Sequence, residues 1–242
     1  MKSYKILQIN VNKSSPITEH TLQVAIELSV DILAIQEPWT IREPDLSYRS
    51  VYHPSFKQVL PNQSLVRPRT VFYISNRITA NLAPNSPQDP DCIIIDVLDI
   101  QLINIYNAIH PNIPNSIPTL QRDILPSTLK NRSILLGDFN THHPWWDPLQ
   151  NQSSNASILI DITEKHSLSL LNTPGEGTFY RPNMITPSVL DLTFATQGIV
   201  NKIEDWQTLP DLGSDHFGVL FTITSNQSIH PTVQRFNTKN IK

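Results

Sequence analysis

Short apolar or alternating runs, broken by polar and proline-rich stretches, set the pattern of the chain. Tyr4–Asn10 (YKILQIN) alternates and then turns polar at Asn10 and Asn12, which predicts a strand ending in two amides. Pro16–Ser29 places Ile17, Leu22, Ala25 and Leu28 on an imperfect helical face, with Thr18 or Ser15 as the cap. Asp31–Gln36 is an apolar strand; Glu37 follows it and Pro38 stops the ladder. Leu46–Pro61 is ambiguous, with Tyr48, Val51 and Tyr52 favouring an edge strand, and Thr70–Ser75 is a strand. Asn81–Asp91 reads as a loop, and Cys92–Leu98 and Gln101–Tyr106 as a hairpin turning at Asp99. The prolines of Asn107–Pro118 forbid a long helix, whereas Thr119–Lys130 fits one with Leu120, Ile124 and Leu125 facing in. Ile134–Leu136 is a buried strand that Gly137 is expected to end in a tight turn. Asn155–His166 is an amphipathic helix and Ser167–Asn172 a short strand. Gly177–Phe179 begins another strand, and Asn183–Pro187 resembles a turn. Val189–Thr196 puts Asp191, Thr193 and Ala195 on one face. Ile203–Leu209 and Ser214–Ile223 supply the last strands.

Strands and helices interleave, with several hairpins. This predicts an α/β fold: a four-layer sandwich of two packed mixed β-sheets flanked by helices. The expected domain spans residues 1–224, and 225–242 is a polar tail or the start of a linker. Two hundred and forty-two residues are enough to bury a real core. A net charge of −3 neither demands nor excludes nucleic acid, because a local basic face is what matters. Cys92 stands alone, so a disulfide framework and a thiolate zinc cluster are excluded and a reducing, intracellular compartment fits. No apolar run reaches the roughly 20 residues that span a bilayer. No targeting signal is evident.

The candidate chemistry collects where strands end: Asn10, Glu37, Tyr106, Asp138, Asn140, Asp191, Asp215 and His216. The oxygens among them are hard ligands, suited to Mg²⁺ or Mn²⁺ rather than zinc. A metal in such a set acts as a Lewis acid on a phosphoryl oxygen. Asp beside His orients an imidazole and favours its charged form. Taken singly, each has a bland reading. Asp138 and Asn140 suit a polar turn, Glu37 a solvated loop, and Asp215–His216 a solvated strand start.

Four stretches lift these residues above that reading: IQEP at 35–38, GDFN at 137–140, SVLD at 188–191 and SDH at 214–216. In that order they resemble the motifs of the endonuclease/exonuclease/phosphatase superfamily, which includes exonuclease III and deoxyribonuclease I. The resemblance runs from Tyr4 to about Ile223. THHPWW at 141–146, QINVNKS at 8–14 and the tail QRFNTKNIK at 234–242 are similar to the endonuclease domain of LINE-type (non-LTR) retrotransposon polyproteins. The chain stops before any polymerase motif, as a fragment or remnant of such a polyprotein would.

The resemblance implies a role for each residue. Glu37 binds the metal, with Asn10 and Asp215 nearby. Asp138 orients or deprotonates the attacking water, and Asn140 holds the scissile phosphate and nucleophile in line. Tyr106 and His216 donate to phosphate oxygens, and Asp191 holds His216 charged. Thr178 and Ser214 are supporting or phosphate-contacting hydroxyls, and Asn12 contacts phosphate or DNA. The segment 179–190 corresponds to a hairpin that reaches towards DNA, with Tyr180, Arg181 and Met184 as its contacts. No member of the set is missing. His142, His143, Trp145 and Trp146 are expected to order the loop after Asn140 by packing; His110 and His166 receive no role.

The expected activity is a Mg²⁺-dependent endonuclease that nicks one strand of double-stranded DNA and leaves a 3′-hydroxyl for target-primed reverse transcription. Its partners would be DNA and a reverse transcriptase domain, with no membrane, as a monomer acting in the nucleus. The alternatives are an abasic-site repair nuclease, a phosphatase of the same fold, or a non-catalytic DNA-binding remnant.

Overall fold

The computed structural model describes residues 2–61, 66–108, 119–122 and 124–225. Strand β1 (Lys2–Asn10) leads through helix α1 (Ser15–Glu27) to β2 (Ile32–Gln36). β3 (Thr40–Arg42) and β4 (Tyr48–Ser50) form a separate small ribbon, followed by β5 (Phe56–Val59), β6 (Thr70–Ser75) and β7 (Asn81–Leu82). β8 (Cys92–Val97) and β9 (Ile100–Tyr106) are the predicted hairpin. Then come β10 (Ser133–Asp138), α2 (Ala156–Lys165), β11 (Leu168–Leu170), β12 (Asp191–Thr196), β13 (Ile203–Leu209) and β14 (Gly218–Ser225).

Two six-stranded mixed sheets result, ordered β13-β14-β1-β2-β6-β5 and β11-β12-β10-β9-β8-β7. Alternation along the strands sends Ile6, Ile32, Ala34, Phe72, Leu102, Leu136 and Ala195 into the layer between the sheets. The opposite faces are also apolar. Leu7, Leu33 and Tyr73 are covered by Leu22 and Ala25 of α1, while Ile103, Leu135 and Phe194 are covered by Leu159 of α2. The four expected layers are therefore present.

Strand direction gathers the chemistry. β1 and β2 are parallel and finish side by side at Asn10 and Gln36. β9 and β10 are parallel and finish side by side at Tyr106 and Asp138. β12 runs antiparallel to β10 and begins at Asp191, opposite Asp138.

Several expectations are corrected. Gly137 does not end its strand: β10 continues to Asp138, and a Cβ at Gly137 would lie 1.8 Å from the Ile105 carbonyl oxygen. The glycine is there for close approach of β9. Ser14, rather than Thr18 or Ser15, caps α1, its hydroxyl accepting the Ile17 N–H at 3.3 Å. Thr119–Lys130 holds only a 3₁₀ turn at Thr119–Gln121 among its described residues, since Pro126 cannot continue a helix. Leu46–Pro61 divides into β4 and β5, the latter at a sheet edge, and the loop 81–91 contains the two-residue β7. The segment 179–188 is closed by the single bridge Phe179–Ser188 rather than by a strand ladder. Residues 109–118, with His110, and the tail from 226 lie outside the described residues.

Candidate active site

Asp138 is buried at the end of β10, with both carboxylate oxygens engaged. Asn10 Nδ2 donates to Oδ2 at 2.9 Å and Asn140 Nδ2 to the same oxygen at 3.1 Å; the Asn140 N–H donates to Oδ1 at 3.0 Å. Asp138 and Asn140 therefore meet through a tight turn, with Asn140 at φ 46°, rather than by strand alternation. Asn107, which no motif singled out, accepts from Asn140 Nδ2 at its carbonyl, 3.2 Å away.

His216 lies beside this group. Its Nδ1 is 2.8 Å from Asp191 Oδ2 and its Nε2 3.8 Å from Asp138 Oδ2. Burial opposes the imidazolium, but the charges of Asp191 and Asp138 and the Asp191 hydrogen bond overcome it and push His216 up to about 9. Burial raises Asp138 to about 7, against the lowering effect of His216. Gln8, inside QINVNKS but without an assigned role, donates to the other Asp191 oxygen at 3.3 Å. Thr178 is fully buried and its hydroxyl oxygen accepts the Leu190 and Asp191 N–H groups at 3.0 and 2.9 Å. It therefore supports Asp191. Ser214 donates to the Asn10 carbonyl at 2.7 Å and accepts the His216 N–H at 3.2 Å.

Glu37 closes the other side. Its carboxylate is 2.7 Å from Lys13 Nζ and hydrogen-bonded to Tyr106, whose phenol is pushed well up by burial and by the Glu37 and Asp138 charges. Asn12, Lys13, Glu37 and Asn140 have φ of 47°, 58°, 46° and 46°, a left-handed region that non-glycine residues seldom occupy and that tends to cluster at functional sites. Asn12 is exposed, and its N–H donates to Asn10 Oδ1 at 2.9 Å. Asp215 pairs with Arg181 Nε at 2.9 Å through one oxygen, while its other oxygen is buried without a protein partner among the described residues. Arg181 also lies 4.9 Å over the Phe179 ring, so the arginine expected to reach DNA folds back onto the site in this structure. Tyr180 is exposed at the root of the same loop.

The donor set fits a divalent cation. Asp138, Asp191 and His216 each offer an atom within 4.8 Å of the others. His216 and Asp191 already satisfy each other, however. Glu37 is likewise bonded, to Lys13 and Tyr106, whereas the second Asp215 carboxylate oxygen is a hard donor left without a protein partner among the described residues. THHPWW packs beneath Asn140: Trp146 is fully buried and donates to the Thr141 carbonyl at 3.1 Å. Asp147 accepts the Val189 N–H at 3.0 Å and faces His142 Nδ1 at 3.3 Å.

The site lies at one end of a two-sheet sandwich and joins paired carboxylates, amides and a carboxylate-bound histidine. Solved structures share the fold. The endonuclease domain of TRAS1, a telomere-specific non-LTR retrotransposon, superposes with a TM-score of 0.69 at 20% identity, covering 92% of this chain and 98% of that one. An AP endonuclease from Leishmania major gives 0.65 at 13% identity, covering 93% and 88%. The sequence profile described as "Endonuclease-reverse transcriptase" matches residues 100–220, half of the chain. The chain belongs to this endonuclease–reverse transcriptase family. Two relatives, the RNA-directed DNA polymerases from mobile element jockey of Drosophila melanogaster and Drosophila funebris, are 37% and 34% identical over 95 residues, or 39% of this chain. That match spans only about a tenth of their length.

Proposed function

We propose that the protein is a Mg²⁺-dependent DNA endonuclease that nicks one strand of intact duplex and leaves a 3′-hydroxyl for target-primed reverse transcription. The observation that carries this is the joining of Asp138, Asn10, Asn140 and the Asp191–His216 pair in one buried hydrogen-bonded group. Asp138 takes the proton of the attacking water as its oxygen adds to phosphorus. Asn140 holds water and phosphate in line, and His216, fixed by Asp191, donates to a phosphate oxygen. Tyr106 donates beside it. The P–O3′ bond breaks, the phosphate stays on the 5′ side carrying the water's oxygen, and O3′ takes a proton from solvent to become the 3′-hydroxyl. Glu37, with Asn10 and Asp215, would hold the cation, which supplies Lewis-acid polarisation of the phosphoryl oxygen. Thr178 and Ser214 position Asp191, His216 and Asn10. Asn12 and Tyr180 contact the duplex, and Arg181 joins them by leaving Asp215.

Family membership supports a nuclease and, in a longer polyprotein, a reverse transcriptase domain as its partner; the reading extends to duplex DNA as the substrate and the nucleus as the place of action. No helix among the described residues is long and apolar enough to cross a membrane. Nicking of supercoiled plasmid with Mg²⁺, abolished by EDTA, tests the reading. Cleavage confined to abasic DNA, or phosphate release from inositol phosphates without nicking, contradicts it.

A further inference from the structure

Arg69 touches both halves of the cleft. Its backbone carbonyl accepts the Glu37 N–H at 2.8 Å, on the side built by β1 and β2. Its guanidinium lies 5.7 Å over the ring of Tyr106, on the side built by β9 and β10. The guanidinium is held in turn by Asp91, a fully buried carboxylate, through Nε and through Nη2 at 2.6 Å. Asp91 is fixed from the other side by Arg122 and by the Thr119 hydroxyl at 2.8 Å, and its own carbonyl accepts the Tyr106 N–H at 2.9 Å. The arginine plane, the carboxylate and the tyrosine backbone thus form a closed frame around one ring.

We propose that Arg69 is a positioning residue for Tyr106: its planar fork, locked by Asp91, fixes the phenol ring so that the hydroxyl meets Glu37 and faces the cleft. The inference rests on the nuclease reading of the site. A guanidinium suits the task because it binds a carboxylate bidentately and stacks on a ring at the same time; a lysine ammonium does neither. A buried ion pair by itself is weak evidence for stability, whereas a device that fixes one geometry has a use for it.

Arg69→Lys is the variant of choice, because it keeps a cation beside Asp91. The expected result is a fall in kcat for plasmid nicking on the order of tenfold, the scale of a lost cation–ring contact, with KM for duplex changed by less than about threefold. In a Tyr106→Phe background the same change should cost less than about twofold, since residues acting as one unit are not additive. Equal losses in both backgrounds would show a merely structural role and overturn the proposal, as would a Tyr106→Phe variant that nicks at the parental rate. A second readout is independent of catalysis. The ring-¹³C signal of Tyr106, assigned with Tyr106→Phe, should shift or broaden in Arg69→Lys and in Arg69→Gln while the melting temperature confirms folding. If the parent protein does not nick DNA, the nuclease reading fails and this signal alone decides. An unmoved signal overturns the positioning role.

Discussion

Each acidic or amide side chain at the cleft is defined by what already touches it. Asp138 accepts from Asn10 and Asn140, and His216 rests on Asp191. Removing Asp138, His216 or Glu37 by alanine should therefore lower nicking by at least about a hundredfold, the usual scale for one acid–base or electrostatic group. Circular dichroism should remain native-like. A variant that nicks near the parental rate at saturating Mg²⁺ drops out of the mechanism. The pH profile follows from the same contacts. Asp138, raised to about 7 by burial, must lose its proton to act as base, so the rate rises as pH passes that value. His216, held up to about 9 by Asp191 and Asp138 against burial, must keep its proton, so the rate falls as pH passes that one. Asp191→Asn removes a charge that holds the proton on, and the alkaline limb should move to lower pH. A profile flat from pH 6 to 10 contradicts these roles.

Elements succeed or fail as carriers of these groups. Gly137 lets β9 run close beside β10 and so brings Tyr106 level with Asp138. Gly137→Ala should cost on the order of 4 kcal/mol and lower Tm by roughly 8–16 °C, as a backbone clash in a buried strand of a domain this size implies. The loop 179–188 is pinched at Phe179–Ser188 and leaves Ile185 fully exposed. Replacing residues 183–186 by Gly-Ser should move the nick sites on a long duplex without abolishing metal-dependent cutting. Arg181→Ala should reduce the salt slope of DNA binding by roughly one phosphate contact. An unchanged nick map and salt slope would show that the loop does not read DNA. Most strands and α2 were legible because one buried face imposes alternation or helical period; Gly177–Phe179, read as the start of a strand, makes only isolated bridges at Phe179. The segment after Thr119 was not, because the spacing of Leu120, Ile124 and Leu125 mimics a helix that Pro126 forbids. The acids, amides and histidine at strand ends were legible from residue type and motif. Gln8, Arg69, Asp91 and Asn107 were not: each acts through a partner distant in sequence, such as Asp191 for Gln8, 183 positions away.

The whole molecule works as two sheets that each bring half of the chemistry to a shared edge. One sheet carries Asn10 and Glu37 at the ends of β1 and β2, and the other carries Tyr106, Asp138 and Asp191. The Asn10–Asp138 hydrogen bond and the Glu37–Tyr106 contact cross between them. Loss of the sandwich is thus loss of the site, so heat inactivation and loss of the folded signal should coincide; inactivation well below the melting transition would separate them. Fold and family leave the reaction itself as the claim most worth testing. The most direct measurement is the chemistry of the ends made on intact supercoiled plasmid with Mg²⁺. The expected result is single-strand nicks that a DNA polymerase extends at once, without phosphatase treatment, and none in EDTA. Nicks that extend only after 3′-phosphate removal, or plasmid left supercoiled, would contradict it.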